Sequence, residues 1–171
     1  MSNLALHVQS MEANLDQIGR HVTGFPSEDA TLAGWLNLVT EGLTTLSEAA
    51  LSPHDLHQSD FRALVHLFSS ADGCAFPGEL SACLRQTPAN MTRIGNLLVA
   101  RGLVARTHST EDRRRVELKI TRAGRAFVLA LLPRFFPPLR DAFSCLSASE
   151  KRTLRELLER LVRAIDGVAA A

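Results

Sequence analysis

The apolar pattern of this chain changes period at Gly102, and that change narrows the possible folds more than any other feature. Before it, Met91, Ile94, Gly95 and Leu98 recur at helical spacing, with Asn90, Arg93 and Asn96 on the opposite face. Thr87-Pro88 opens this helix. A threonine oxygen can accept from an unpaired N–H of the first turn, and proline at the first helical position has no N–H to satisfy. Gly102 supplies the left-handed residue on which helices end. Beyond it, Leu103 to Thr107 reads as a short strand. Val116, Leu118 and Ile120 alternate with Arg115, Glu117, Lys119 and Thr121 as a second, half-exposed strand. The segment between them, His108 to Arg114, is a polar hairpin tip dense in arginine.

The flanking sequence is helical. Glu79 to Leu84 reads as a short helix after a Pro77-Gly78 turn. About Ser59 to Ala71 is a longer one, with Phe61, Leu64, Val65, Leu67 and Phe68 inward and Asp72-Gly73 as its end. Ser27 or Asp29 is expected to cap a long helix striped by Leu32, Trp35, Leu36, Val39, Leu43, Leu46 and Ala50, and Ser52-Pro53 stops it. Residues 1–28 read as an extension with a weak helix ending near Gly19. After Arg122 a further helix is kinked or interrupted by Pro133, Pro137 and Pro138. Ser147 and Glu150 form a capping box on a last helix, whose stripe of Leu154, Leu157, Leu158, Leu161, Val162 and Ile165 is wide enough to bury against a partner. The predicted class is mainly α (α+β). Helix, short helix, capped helix, strand, basic hairpin and strand is the layout of a winged helix-turn-helix, here over residues 59–121.

Charge supports a nucleic-acid partner only through its distribution. The formal net charge is +1. Yet residues 80–125 hold ten basic residues against three acidic ones, leaving nine basic and fifteen acidic elsewhere. This is an anion-binding face on an acidic scaffold. In a winged helix the second helix of the motif enters the major groove and the hairpin reaches the neighbouring minor groove. Arg93 is placed to fork onto guanine O6 and N7. Asn90 shares its face, and the free N–H groups of Ala89 and Asn90 are expected to take a phosphate oxygen. Arg113 suits a narrow minor groove, with Asp112 holding its guanidinium. Arg114 and Arg115 face oppositely, so one is expected on phosphate and the other on Glu117 or Asp112. The DNA-binding candidates are therefore Thr87, Ala89, Asn90, Thr92, Arg93, Asp112, Arg113, Arg114 and Arg115.

Other chemistry finds little support. The longest apolar run, Ala126 to Leu132, falls far short of the ~20 residues of a membrane span. The N-terminus lacks the basic and apolar regions of an export signal, so the expected compartment is the cytoplasm. Three cysteines, Cys74, Cys83 and Cys145, are too widely spaced for a disulfide framework or zinc module and are expected to be reduced, mostly buried thiols. His54 and His57 sit in a proline-containing loop without further ligands, so no metal is expected. No Gly-rich phosphate loop and no nucleophile with a base beside it is present, so neither a cofactor nor an enzyme is expected. Trp35, Phe61, Arg62 and His66 are candidates to line an aromatic pocket with cationic groups for a carboxylate or phenolate.

The stretches Glu79-Leu80-Ser81-Ala82-Cys83-Leu84, Asn90-Met91-Thr92-Arg93-Ile94, Gly102-Leu103-Val104 and Asp112-Arg113-Arg114-Arg115-Val116-Glu117-Leu118-Lys119-Ile120-Thr121-Arg122-Ala123-Gly124 resemble the MarR family of bacterial transcriptional regulators. The Asp-Arg-Arg wing followed by Leu-x-Ile-Thr-x-x-Gly is the most specific piece, and the similarity covers about residues 30–166. Within the family the resemblance is to its multidrug-efflux repressors. It implies a homodimer joined by the helix of residues 29–58 and the helices of residues 122–171. It also implies a pseudo-palindromic double-stranded operator, and release by a small aromatic or phenolic ligand bound between the dimerisation and DNA-binding regions. Two other readings compete. A thiol-based redox regulator of the same fold would use Cys83 or Cys145. A scaffold that has lost DNA binding would serve protein contacts, and the segregated charge argues against that one.

Overall fold

Gly102 has φ +67°, a backbone that a β-carbon would strain, and the chain on either side of it follows the change of period. In the computed structural model, residues 3–108 and 115–169 are described. The candidates Asp112, Arg113 and Arg114 therefore lie outside the described residues. The elements are α1 (Asn3–His21), α2 (Ser27–Leu51), a 3-10 turn (Ser52–His54), α3 (Gln58–Ser69), β1 (Cys74–Ala75), α4 (Pro77–Cys83), α5 (Pro88–Ala100), β2 (Val104–His108), β3 (Val116–Ile120), α6 (Arg122–Leu131), a second 3-10 turn (Leu132–Phe135), α7 (Phe136–Ala142) and α8 (Ala148–Ala169). This is a mainly α winged helix-turn-helix. Pro133 falls in the 3-10 turn after α6, and Pro137 and Pro138 fall in the first turn of α7, so the prolines divide the helix expected after Arg122.

The sheet has the order β1-β3-β2, all antiparallel. β2 and β3 pair from Val104 with Ile120 to His108 with Val116. β1 adds Cys74 opposite Lys119 and Ala75 opposite Leu118, a strand too short to leave an alternating pattern in the sequence. α6 begins where Thr121 bonds back to the glycine turn. Its hydroxyl donates to the Gly102 carbonyl at 2.7 Å and accepts from the Gly124 N–H at 3.0 Å. A β-carbon on Gly124 would stand 2.1 Å from the Leu103 carbonyl oxygen, so only glycine allows this approach.

Two compact units divide the chain at Phe135 and Phe136. In the first, Leu51, Leu64, Leu67, Leu80, Met91, Ile94, Leu98, Leu118 and Val128 form a buried core beneath α5 and the sheet. The α1 helix packs along α2, where Gly34 gives way to Met11: a β-carbon there would lie 2.2 Å from the methionine sulfur. Ser27 is the first residue of α2 rather than its cap. No side chain caps that end, and Glu28 and Asp29 instead place negative charge at the positive end of the helix dipole. The expected stripe of α2 is mostly on the outside of the chain, with Leu32, Trp35, Leu36, Val39 and Leu46 exposed.

The second unit is α7 and α8. Ser147 and Glu150 make the expected capping box: the Ser147 N–H donates to Glu150 at 2.8 Å and the Glu150 N–H to the serine oxygen at 3.3 Å. The Ser147 hydroxyl, which donates to the same carboxylate at 2.6 Å, and then the Ser147 N–H hold the Glu150 carboxyl below its usual pKa. No residue of α8 is buried. Among the described residues no helix is long and apolar enough to cross a membrane. Cys83 and Cys145 are exposed and Cys74 is half-buried, which corrects the expectation of mostly buried thiols.

Candidate nucleic-acid interface

The exposed face of α5 is organised by its own first turn. The Thr87 side chain accepts from the Asn90 N–H at 3.2 Å, so one of the two amides expected to be free for phosphate is already satisfied. The Ala89 N–H, in the same first turn, has no carbonyl of its own helix to donate to, and the Thr87 oxygen is taken by Asn90. Thr87, Ala89, Thr92 and Arg93 are exposed, and Asn90 is half-buried. The Thr92 hydroxyl is turned back onto the Pro88 carbonyl at 2.9 Å.

Arg93 does not stand free. Its Nη2 donates to Asp60 Oδ1 at 2.8 Å and its Nε to Asn90 Oδ1 at 2.9 Å, and the Asn90 amide donates to Gln86 Oε1 at 2.6 Å. Asp60 is fully buried, whereas the Arg93 side chain is 47% exposed. The second Asp60 oxygen accepts from the His57 N–H at 2.9 Å, capping α3. One buried carboxylate thus closes a helix start and aims an arginine on another helix. Of the five guanidinium donors two are held by protein, and the rest remain for a ligand. Sequence reading missed Asp60. Its only local signal is its place at the third position after His57, where an acidic side chain closes a capping box.

On the wing, Arg106 Nη2 donates to Asn96 Oδ1 of α5 at 2.5 Å, and the Thr107 hydroxyl donates to Glu117 at 3.1 Å. Arg115 lies with its guanidinium carbon 3.7 Å above the centre of the Phe76 ring, away from the pairing with Glu117 considered for it. Burial and the neighbouring Glu117 carboxylate push the Cys74 thiol above its usual pKa. Two further arginines of the basic segment serve the scaffold. Arg101 donates to the His54 carbonyl and, at 3.2 Å, to that of Asp55. The Arg125 guanidinium lies 5.9 Å from the Phe68 ring centre.

A cleft of about 420 Å³ runs along α3. Phe61, Arg62 and His66 line it together with Ser47, Leu51, Gln58, Val65 and Ser69, and with Leu84, Leu132 and Phe135. The Phe61 ring is stacked on Phe135, with centres 5.1 Å apart and planes 6° from parallel. Trp35 is not part of this lining; it is 42% exposed on α2. Three of the four pocket candidates therefore meet in one cleft, and the fourth does not.

The sequence profile of the MarR family matches residues 54–115. The chain is 30% identical over 142 residues to the transcriptional repressor MprA of Escherichia coli strain K12, covering 83% of this chain and 81% of that protein. It is 28% identical over 84% of this chain to the transcriptional repressor YetL of Bacillus subtilis strain 168, covering 90% of that protein. Among solved structures, a cysteine-to-serine variant of Escherichia coli MarR complexed with operator DNA is similar, at 28% identity and a TM-score of 0.70. That similarity covers 78% of this chain and 95% of the other. At 21% identity, AbsC of Streptomyces coelicolor shares the fold with a TM-score of 0.71, covering 81% of this chain and 96% of its own.

Proposed function

The chain belongs to the MarR family, and on that premise we propose that it is a transcriptional repressor that binds a pseudo-palindromic operator as a homodimer. The observation that carries this reading is the exposed face of α5, where Arg93 is buttressed by Asp60 and Asn90 beside the Ala89 N–H. With its orientation set before binding, Arg93 loses little side-chain freedom when its remaining donors meet guanine O6 and N7. The start of α5 receives a backbone phosphate at Ala89. Thr87, Thr92, Asp112, Arg113 and Arg114 complete the contact surface. Two copies bring their α5 helices to half-sites about one helical turn, ~34 Å, apart.

The cleft along α3 takes a small aromatic or phenolic anion, with Phe61 as the apolar wall and Arg62 and His66 as the cationic side, and its occupation releases the operator. The resemblance to efflux repressors supports a multidrug or aromatic-compound efflux operon as the target. Its relatives are regulators, and the role supported here is binding in the cytoplasm rather than catalysis. Exposed Cys83 and Cys145 keep a thiol-based release of DNA as the second reading.

The test is fluorescence anisotropy of a labelled duplex from the gene's own upstream region against a scrambled duplex, at about 150 mM salt, a range where non-specific binding is already weakened. Sequence-dependent binding that salicylate abolishes is the expected result. Loss with peroxide but not with salicylate transfers the role to the cysteines. Equal affinity for both duplexes overturns operator recognition.

A further inference from the structure

Among the described residues, two side-chain contacts of the wing with the helix-turn-helix lie at its exposed edge and are not used in base reading. β1 ends with Ala75 opposite Leu118, so beyond that pair β2 and β3 run on without a third strand. A bare two-stranded ribbon twists readily and is marginal alone. Both contacts fall close to where the third strand stops. Arg106 of β2 is bonded to Asn96 on the outer face of α5. Arg115, immediately before β3, covers Phe76, the residue between β1 and α4. Phe76 continues β1 by one residue and Arg115 is its diagonal neighbour across the pairing, the separation at which a long side chain meets an aromatic ring. At 3.7 Å the guanidinium is in van der Waals contact with the ring face, the geometry of a cation–π pair.

Resting on the operator-binding reading above, we infer that Phe76 and Arg115 are positioning residues. Their contact fixes the direction in which the wing leaves the sheet relative to α4 and α5, and Arg115 acts through Phe76 rather than by neutralising a phosphate. A contact of this kind at an exposed site corresponds to roughly two- to five-fold in affinity.

The experiment is a double-mutant cycle of Phe76→Leu and Arg115→Met, read by anisotropy on operator and scrambled duplexes over a salt series, with thermal melts to verify folding. Each single variant is expected to weaken operator binding by that two- to five-fold, and the double variant no further, because both remove one shared interaction. Phe76→Leu leaves every charge in place, so the scrambled duplex should bind it as it binds the native protein. Phe76→Tyr keeps the ring face and should keep operator affinity. In free protein, nuclear magnetic resonance should show the Arg115 side-chain methylene protons shifted upfield by the ring, and the shift lost in Phe76→Leu.

The inference is overturned if Phe76→Leu binds like the native protein while Arg115→Met weakens both duplexes and lowers the salt slope by about one, the signature of a phosphate contact. Losses that multiply in the double variant overturn it too, as does the absence of the upfield shift in the native protein, an outcome that holds even if Phe76→Leu does not fold. A native protein without operator preference removes this inference together with the repressor reading. One with preference, whose Phe76→Leu variant is indistinguishable from it, removes this inference alone.

Discussion

α5 and α8 are both amphipathic, yet they settle their apolar faces in opposite ways. On α5, Met91, Ile94, Gly95 and Leu98 are buried against the chain's own core, and the polar face is tied to Asp60, Gln86 and Arg106. On α8, Leu157, Leu161, Val162 and Ile165 are 41–58% exposed. A stripe of this width is too apolar to be left to water. The first helix is completed within one chain, whereas the second leaves its stripe open, a face for the partner copy of the proposed homodimer to cover.

The largest expected effect tests how self-contained α5 is. Arg93→Ala leaves the buried Asp60 carboxylate without its cation, and should cost about 3 kcal/mol in urea denaturation, besides weakening operator binding. Arg93→Lys keeps a charge near Asp60 and should recover part of that stability. Stability unchanged in Arg93→Ala would mean that the pair does not fasten α5. Next, Gly124→Ala drives a β-carbon into the Leu103 carbonyl, and about 1–3 kcal/mol of strain is expected. Gly34→Ala meets only the flexible end of Met11, and its melting temperature should move by much less.

On α8 the converse is expected. Leu161→Lys should shift the light-scattering mass toward the monomer while urea unfolding of the first unit changes by less than about 0.5 kcal/mol, as for an exposed position. A full dimer mass in this variant would place the partner surface elsewhere. The smallest effect is a pH dependence. Glu150 titrates lower in the folded chain than in the unfolded one, so its cap contributes above the usual glutamate pKa and fades as pH falls through the depressed value. Amide exchange at Glu150, corrected for its intrinsic pH dependence, should then lose protection. Glu150→Gln should flatten that profile.

What was legible in the sequence was local. The Thr87 cap, the Gly102 stop, the alternation of β3 and the Ser147 box each lie within a few residues, and each corresponds to a hydrogen bond or dihedral of the structure. The two residues of β1 carry no period. Asp60 and Arg93 are 33 residues apart, and only the packing of α3 on α5 brings them together. Trp35 and Phe61 are both aromatic residues on helical stripes, yet one is 42% exposed and the other 6%. Periodicity tells which residues share a face, not what that face meets. The arginine segregation was also real but mixed in meaning, since Arg101, Arg106 and Arg115 each engage the protein itself.

The grip of Arg101 on the His54 and Asp55 carbonyls has a mechanical consequence. Arg101 is the C-terminal cap residue of α5, and the carbonyls it holds lie just upstream of α3, whose first turn carries Asp60. The α5 helix is thus anchored at two stations, Arg93 and Arg101, to one short strap of chain, residues 54–60. It behaves as a beam built in at both supports rather than a cantilever pivoting about one. A small displacement of the strap carries the whole beam with it, and bending alone cannot absorb the motion.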